Sequence, residues 1–422
     1  MTTNNSNPLT DYQVDHLFLL IGENPLPNYV AARTLLKTDG TVYLIFTNQT
    51  ISQKKSLKGQ DGLLHWGIHC EEIDLADGES NAHQIREKIK NRVNTISGSV
   101  GLNYTGGTKA MAVHAYRAIQ ELKPDAIFSY LDSRRLKMWI NQGDQKPTDY
   151  DVSIQPKLSL EELFNLHGRY LLTNFPPRCK PYFPELEEEI AMLNVNKETD
   201  SKSRLNFDNW KKWCNKLPKL DSGIDLNNVS PNLANLINQH WNLSGDKAQI
   251  TDRAKTAGFQ EVDELKLYCD GMWLESYVLK IIRDIYDEIN ILKEDVKMSF
   301  NVVDDKSKVN TLDKKKDGKF ELDVAFIKGY QLFAISCTAK SGRSDCKEKM
   351  FEAYLRAKEL GGDEARVALV CCYDKPEEIE ADMTKFGIRD PKIKVFGRSH
   401  LDNLAEEIAN WIDKVEQETK NE

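Results

Sequence analysis

The chain has 422 residues, of which 40% are hydrophobic and 29% are charged, and its formal net charge is −8. At roughly 100–200 residues per domain this length predicts two or three domains, and the composition excludes a chain that is disordered throughout. The negative net charge excludes a protein that coats nucleic acid by long-range electrostatic attraction, but it is compatible with a local basic groove.

The sequence shows no signal for a membrane span or for secretion. The longest apolar run, residues 17–21, is far shorter than the about 20 residues that cross a bilayer. Residues 1–10 lack the charged and apolar regions of a signal peptide. The eight cysteines have no metal-ligand spacing, so we expect them to be reduced and mostly buried. We therefore predict a cytoplasmic protein with no membrane partner.

The first part of the chain alternates between strand and helix patterns. Helical patterns separate apolar segments that predict six strands, at residues 14–21, 41–47, 69–75, 99–104, 125–131 and 136–140. This alternation is typical of right-handed βαβ units, so we predict an α/β domain with a mostly parallel six-stranded sheet. Such sheets bind ligands beyond the carboxyl ends of their strands.

Three loops follow the carboxyl ends of predicted strands and are candidate ligand sites. Their residues are Gly22, Glu23 and Asn24 after the first strand, Thr47 and Asn48 after the second, and Asn103, Thr105, Gly106, Gly107, Thr108 and Lys109 after the fourth. In the third loop the glycines permit close backbone approach, the threonines supply hydroxyl groups and the lysine adds a cation. The following helix directs unpaired N–H groups at the loop, as phosphate binding requires. Alternatively, the glycines form only a tight turn and Thr108 only caps the helix.

The third loop resembles a known sensor domain. Residues 103–111 read NYTGGTKAM and, with the Gly-Glu-Asn-Pro loop after the first strand, resemble the CARF (CRISPR-associated Rossmann fold) domain over about residues 10–150. The resemblance implies a Rossmann-like domain that dimerises and binds a cyclic oligoadenylate with the three loops. We expect cyclic tetra-adenylate rather than cyclic hexa-adenylate. A two-fold symmetric ring suits the interface of a homodimer, where each subunit presents the same loops.

The middle of the chain, residues 156–260, predicts a helical linker region. Residues 158–172 have the pattern of one amphipathic helix, which a proline-rich break follows. Trp210 and Trp213 flank Lys211 and Lys212, a pattern more typical of helix packing than of a nucleic-acid site. We assign no chemistry to this region.

The last part of the chain has a second α/β pattern. It predicts helices at residues 271–289, 346–360 and the carboxyl end, and strands at residues 295–303, 319–327, 330–338, 366–372 and 393–396. Glu275 borders the apolar stripe of the first helix, Asp323 lies on the second strand, and Lys340 follows the third. A helix with a glutamate, a strand with an aspartate and a second strand ending near a lysine resemble the restriction-endonuclease-like PD-(D/E)xK domain.

This second resemblance implies metal-dependent hydrolysis of phosphodiesters. Asp323 and Glu275 would hold Mg²⁺ or Mn²⁺ against the scissile phosphate, and Lys340 would assist the attacking water. The sequence departs from the family at one segment, because Ser336 occupies the second acidic position and Thr338 the lysine position.

Glu321 is the candidate replacement for the missing carboxylate. If Lys328 and Gly329 form a tight hairpin, residues whose numbers sum to about 657 face one another, which places Glu321 opposite Ser336. Glu321 would then be a third metal ligand, and Ser336 would bind the metal through water. Glu352 on the following helix is a weaker candidate for the same position.

A lysine-rich loop leads into the strand that carries Asp323. It contains Lys306, Lys308, Lys314, Lys315, Lys316 and Lys319. The loop would either contact the phosphates of a nucleic acid or form a solvated hairpin tip.

The sequence predicts three regions: a CARF ligand-sensing domain at residues 1–155, the helical linker at 156–260 and a nuclease-like domain at 261–422. The two resemblances imply a homodimeric type III CRISPR ancillary nuclease, in which a cyclic oligoadenylate activates cleavage of DNA or RNA allosterically. One alternative is a ligand-controlled nucleic-acid-binding protein with a degenerate nuclease domain. The other is a ligand-independent repair or restriction endonuclease.

Overall fold

The structure is a computed structural model that describes most of the chain. It describes residues 9–195, 210, 212–214, 231–242, 249–261, 264–313, 318, 320–388 and 392–420. The predictions for Lys211, Lys314, Lys315, Lys316 and Lys319 lie outside the described residues.

The N-terminal part forms a sheet with helices on its two faces. Its elements in chain order are Val14–Leu20 (β1), Leu26–Leu35 (α1), Leu36–Phe46 (β2), Ile51–Lys58 (α2), His69–Asp74 (β3), Ala82–Val93 (α3), Val100–Asn103 (β4), Lys109–Leu122 (α4), Ile127–Asp132 (β5), Lys137–Gln142 (β6) and Thr148–Asp151 (β7). The strand order is β3-β2-β1-β4-β5-β6-β7. The first five strands of this order are parallel, and β6 and β7 are antiparallel additions at the edge.

The α/β class and the mostly parallel sheet are confirmed, but the predicted number of six strands is wrong. The seventh strand, β7, has the sequence Thr-Asp-Tyr-Asp and pairs with β6. Its side chains are partly or fully exposed, so the strand has no apolar alternation that the sequence could reveal.

The middle of the chain contributes short elements. They are Leu160–Leu166 (α5), Tyr170–Leu171 (β8), Pro184–Asn194 (α6), Pro231–His240 (α7), Trp241–Asn242 (β9), Gln249–Ile250 (β10), Asp252–Thr256 (α8) and Glu264–Leu267 (α9). Trp210 and Trp213 are buried and stacked with ring centroids 5.2 Å apart, so the prediction that they pack a helical region is confirmed.

The C-terminal part forms a second sheet with helices against it. Its elements are Trp273–Asp284 (α10), Lys297–Val303 (β11), Phe320–Lys328 (β12), Gln331–Thr338 (β13), Arg343–Gly361 (α11), Arg366–Cys371 (β14), Pro376–Thr384 (α12), Ile393–Phe396 (β15) and Leu404–Lys420 (α13). The strand order is β15-β14-β13-β12-β11-β8. Strands β13, β14 and β15 are parallel, and the remaining neighbours are antiparallel.

Two predicted helices are shorter than the sequence pattern indicated. The predicted helix at 158–172 ends at Leu166, because Gly168 adopts a left-handed conformation and the chain turns into β8, which pairs with β11. The predicted helix at 271–289 becomes α10, which begins after a π-helical turn and ends at Asp284.

One hydrophobic cluster spans the two sheets, and each sheet also packs against a further cluster of its own. A single cluster of buried side chains contains Leu26 and Leu36 from the N-terminal part and Leu332 and Met350 from the C-terminal part. Because apolar burial is continuous between the parts, a shift in one is transmitted to the other through packed side chains.

All eight cysteines lie in the described part of the chain. None of them forms a disulfide, and seven are buried. Among the described helices, none is both long and apolar enough to cross a membrane.

Candidate ligand pocket and nuclease site

The first candidate site lies beside β1, where the order of the strands across the sheet reverses. β1 is flanked by β2 on one side and β4 on the other, and both are parallel to it. The chain crosses to opposite sides of the sheet from these two strands, so a crevice opens beyond their carboxyl ends. The loop at residues 22–24 follows β1 and the loop at 103–109 follows β4, and thus both predicted loops border the same crevice.

The two loops are in close backbone contact. A Cβ atom on Gly106 would lie 2.2 Å from the carbonyl oxygen of Leu20, and one on Gly22 would lie 3.0 Å from the backbone nitrogen of Gly107. Gly107 also has a φ of +73°, a conformation that residues with a Cβ rarely adopt. The glycines are therefore required by the loop geometry itself.

Polar side chains hold the third loop in place. The Asn103 Nδ2 donates to Ser129 Oγ at 3.0 Å, and its Oδ1 accepts the N–H of Thr105 at 3.2 Å. The Thr105 hydroxyl oxygen accepts the N–H of Leu131 at 2.7 Å. Asn103 is completely buried, so it supports the loop from beneath.

Thr108 is the N-cap of α4. Its hydroxyl oxygen accepts the N–H of Met111 at 3.2 Å, and its O–H donates to the carbonyl oxygen of Glu79 at 2.9 Å. Thr108 therefore caps the helix, as the alternative from the sequence held, and a cap is compatible with a ligand at the helix N-terminus.

The crevice forms a pocket of about 1660 Å³. This volume exceeds the about 300–1,000 Å³ of pockets for single small molecules, so a larger ligand fits the space. Of the predicted ligand residues, eight line the pocket: Gly22, Glu23, Asn24, Thr47, Thr105, Gly106, Gly107 and Thr108. Asn48, Asn103 and Lys109 do not line it. The Asn48 Nδ2 donates to Asp77 Oδ1 at 2.8 Å, and Lys109 is exposed at the start of α4.

The opposite wall of the pocket comes from the middle and C-terminal parts of the chain. Helix α11 contributes Glu352, Arg356 and Glu359, and the α5–β8 connection contributes His167 and Arg169. Sequence patterns gave no signal that these residues border the pocket, because only the packing of the parts brings them there. Glu352 was predicted instead as a weaker candidate metal ligand of the nuclease site, and it stays a prediction in that role.

Asn24 connects the sensor loop directly to the end of α11. Its Nδ2 donates to Glu364 Oε2 at 2.6 Å, and its Oδ1 accepts the N–H of Leu26 at 3.1 Å. Glu364 is buried, and burial raises the pKa of its carboxyl group above the ordinary value. A ligand that engages Asn24 would therefore disturb the turn that follows α11.

The second candidate site surrounds Asp323 on β12. Its Oδ2 accepts the Ser336 hydroxyl at 2.8 Å and the N–H of Cys337 at 2.7 Å. The Lys349 Nζ lies 3.5 Å from the same oxygen. The Asp323 side chain is only 9% exposed, so these partners offset the cost of removing its charge from water.

The hairpin register differs from the predicted one. The numbers of paired residues sum to 659, as for Val324 with Ile335 and Lys328 with Gln331. This register places Asp323, not Glu321, across from Ser336. The prediction that Glu321 faces Ser336 is wrong because Gly329 and Tyr330 form the turn, one residue later than expected.

The remaining predicted nuclease residues occupy different positions. Glu275 lies on α10, and its charge acts on both Lys349 and Cys337. Glu321 is exposed and pairs in register with Asn301 on β11. The Lys340 Nζ donates to Asp345 Oδ1 at 2.7 Å and its side chain is 67% exposed.

Lys349 on α11 is the residue that sequence reasoning missed. Burial acts to lower the pKa of its ammonium group, but the charges of Asp323, Glu352 and Glu275 raise it above the ordinary value. The ammonium therefore stays charged beside Asp323. The helical pattern gave no signal for Lys349, since lysines are common on exposed helix faces.

The site suits a divalent cation held mainly by water and phosphate. Among the described residues, no group of three or more His, Cys, Asp or Glu side chains is arranged to hold a metal. Mg²⁺ commonly uses only one or two protein carboxylates together with water and substrate phosphates. Asp323 and Glu275, whose charges both act on the Lys349 ammonium, are two carboxylates that fit this requirement.

The fold and the two sites define a nucleotide-sensing domain joined to a nuclease-like domain. Comparison with known families identifies both parts. Residues 17–163 match the family described as the Card1 CARF domain, and residues 262–415 match the Card1-like endonuclease domain. The chain belongs to the CRISPR ancillary proteins that join a CARF domain to a Card1-like endonuclease domain. The resemblance inferred from the sequence is confirmed.

Solved structures share the fold over nearly the whole chain. The protein VC1899 from Vibrio cholerae has a TM-score of 0.70 at 16% identity, over 95% of this chain and 98% of that one. Can2 from Sulfobacillus thermosulfidooxidans, solved in complex with cyclic tetra-adenylate, has a TM-score of 0.66 at 17% identity, over 94% and 99%. A comparison with curated proteins gives no match.

Proposed function

We propose that this protein is a metal-dependent endonuclease of type III CRISPR defence that a cyclic oligoadenylate activates. The observation that carries the proposal is the position of α11. This helix lines the ligand pocket with Glu352 and Arg356, and it places Lys349 against Asp323 of the nuclease site. One helix thus borders both sites, and a shift of this helix would couple them.

The proposed activator is cyclic tetra-adenylate. The pocket is larger than a site for a single small molecule, and the α4 N-terminus with its Gly106-Gly107 loop is suited to phosphate groups. Can2, which shares the fold, was solved with this ring. Arg169, Arg356 and Lys358 also line the pocket. Arg169 and Arg356 pair with Glu359, and Lys358 pairs with Asp363, so a polyanionic ligand would compete with these carboxylates for the cations.

The proposed assembly is a homodimer that binds one ring on its two-fold axis. Each subunit would contribute the loops at residues 22–24, 47–48 and 103–109 to half of the ring. Light scattering should then give twice the mass of one 48.3 kDa chain, and calorimetric titration should give one ring per two chains. A monomer that binds one ring per chain would contradict the proposed assembly.

In the nuclease site, Asp323 and Glu275 would hold Mg²⁺ or Mn²⁺, which when bound polarises the scissile phosphate. Ser336 donates to Asp323 and so fixes the orientation of that carboxylate. Glu321 stays a predicted contributor of a further carboxylate, and Lys340 stays a predicted helper of the attacking water.

A second function is supported by the residues of β13. Ser336 and Thr338 stand where the family has an acid and a lysine, so the domain would act as a ligand-controlled nucleic-acid-binding module if no other groups replace them. Calorimetric titration with Mn²⁺ distinguishes the two functions. Binding that is lost in Asp323→Asn supports the nuclease, and no binding at Asp323 supports the binding module.

The proposal is tested by cleavage of labelled single-stranded DNA, RNA and supercoiled plasmid. Each substrate is incubated with Mn²⁺ alone, with cyclic tetra-adenylate and with cyclic hexa-adenylate. We expect cleavage of at least one substrate with the tetra-adenylate. Full cleavage without any ring would instead identify a ligand-independent endonuclease.

A further inference from the structure

The strand that should carry the catalytic lysine does not carry one. β13 ends at Thr338, whose hydroxyl oxygen accepts the N–H of Lys340 at 3.3 Å. Lys340 is the nearest lysine in sequence, but its ammonium is bound by Asp345 and largely exposed to solvent. A lysine that is close to β13 in sequence is therefore not necessarily the lysine that serves the nuclease site.

Lys349 occupies the position that the chemistry requires. Its Nζ lies 3.5 Å from the Asp323 carboxylate, and its side chain is 34% exposed, about half as much as that of Lys340. It belongs to α11, which packs against β13 and β14. Glu352 follows one turn later on the same face of the helix.

We propose that Lys349 is the catalytic lysine of the nuclease site and that it replaces the lysine absent at Thr338. Its ammonium contacts the scissile phosphate beside Asp323 and stabilises the negative charge that develops during hydrolysis. In that reaction an O–P bond forms to water and the P–O bond to the leaving oxygen breaks. One water proton goes to the leaving oxygen, and the other is released to solvent. This inference rests on the proposed nuclease function.

The position of Lys349 on a helix has a consequence for regulation. A lysine on β13 would be fixed by the hydrogen bonds of the sheet, whereas α11 also forms a wall of the ligand pocket through Glu352 and Arg356. A small shift of α11 on ring binding would move the Lys349 ammonium relative to Asp323. The position of the catalytic ammonium therefore depends on whether the ring is bound to the sensor domain.

The test compares the same substitution at three lysines. Ring-activated cleavage is measured for wild type, for Lys349→Met and for Lys340→Met, the rival lysine. The matched control is Lys347→Met, on the same helix, whose side chain is 39% exposed and pairs with Asp382. We expect the turnover rate of Lys349→Met to fall by about 10²–10³-fold, as for loss of one group that stabilises transition-state charge. The substrate KM and the ring affinity should change little, and the melting temperature should fall because the buried Asp323 loses a partner. Lys347→Met should retain activity within about threefold.

The reverse pattern, with Lys349→Met active and Lys340→Met inactive, would overturn the inference, as would full activity of both variants. If Lys349→Met does not fold, Lys349→Gln decides, because it removes the charge but keeps a polar side chain that can donate to Asp323. A folded Lys349→Gln at the full wild-type rate would then contradict a catalytic role of the ammonium, and a large loss of turnover would support it. A wild-type protein that cleaves nothing with any ring or metal would defeat the nuclease proposal first, and this inference with it.

Discussion

Glu187 is a buried carboxylic acid that links the linker region to the nuclease domain. It lies on α6, which packs against α10, and its Oε1 accepts the N–H of Phe183 at 2.9 Å. Burial raises the pKa of its carboxyl group to about 7, against the lowering effect of this hydrogen bond. The acid is therefore protonated in the folded protein at a pH where it is ionised in the unfolded chain.

The sign of the pH dependence follows from this raised pKa. The folded protein binds the Glu187 proton more tightly than the unfolded chain does. Its contribution to the free energy of unfolding is therefore fully present below the pKa of the unfolded chain and is lost as the pH rises through about 7. Between pH 5.5 and 8, we expect Glu187 to remove about 2 kcal/mol from the free energy of unfolding. Urea unfolding at both pH values checks this.

Glu187→Gln is the matched variant, since it is neutral at every pH. Its stability should fall less than that of the wild type over the same interval. Equal losses in the two proteins would show that Glu187 is not the responsible group.

At the scale of elements, the loop between β4 and α4 depends on Gly106. A Cβ atom there would meet the carbonyl oxygen of Leu20 at 2.2 Å, and because that atom belongs to β1, only a backbone shift can relieve the contact. A shift costing on the order of 1–3 kcal/mol is expected. Gly106→Ala should therefore weaken ring binding by about tenfold or more in calorimetric titration.

Gly143→Ala is the control for this prediction. Gly143 has a φ of +55° in the β6–β7 turn, but a Cβ there would meet no atom within 4 Å. The control thus carries only backbone strain, away from the pocket, and should bind the ring normally. Normal binding by Gly106→Ala would contradict the importance of the close loop contact.

The sequence predicts elements well where a local pattern determines them. The parallel strands and the loops at residues 22–24 and 103–109 follow from apolar runs and glycines. The seventh strand, β7, was missed because its residues are polar and its pairing depends on the neighbouring β6. The predicted hairpin register was wrong. The numbers of paired residues sum to 659 and not to 657, because the turn is formed by Gly329 and Tyr330 rather than by Lys328 and Gly329.

In the candidate sites too, residues on recognisable local patterns were predicted, and residues brought in by tertiary packing were missed. Asp323 was predicted from its strand, and its partner Ser336 was recognised as a departure from the family pattern. Lys349 was missed because it reaches Asp323 from a separate helix. His167, Arg169 and Arg356 were missed in the pocket for the same reason, since only tertiary packing brings them to the CARF loops.

At the scale of the whole molecule, the two sites are separate but share α11 and a continuous core. If a ring at the pocket favours the arrangement that binds nucleic acid, then nucleic acid must favour ring binding by the same factor. Such coupling factors are typically about 5–150. The affinity for the ring should therefore rise by this factor when substrate is bound.

This reciprocity can be measured with Asp323→Asn, which should not cleave the substrate. The dissociation constant of cyclic tetra-adenylate is determined with and without saturating single-stranded DNA or RNA, whichever the wild type cleaves. The dissociation constant of the nucleic acid is then determined with and without the ring. The two ratios should be equal and greater than one, and ratios that both equal one would show that the sites are not coupled in binding.

The central claim is that a ring bound at the CARF loops controls hydrolysis at Asp323 in the same protein. The most direct test is the single-turnover cleavage rate over a titration of cyclic tetra-adenylate with Mn²⁺, for wild type and Asp323→Asn. The account predicts that the wild-type rate rises at least tenfold, with half of the increase at the ring's dissociation constant, while Asp323→Asn binds the ring equally and does not cleave. A wild-type rate that is independent of the ring, or cleavage by Asp323→Asn at the wild-type rate, would contradict it.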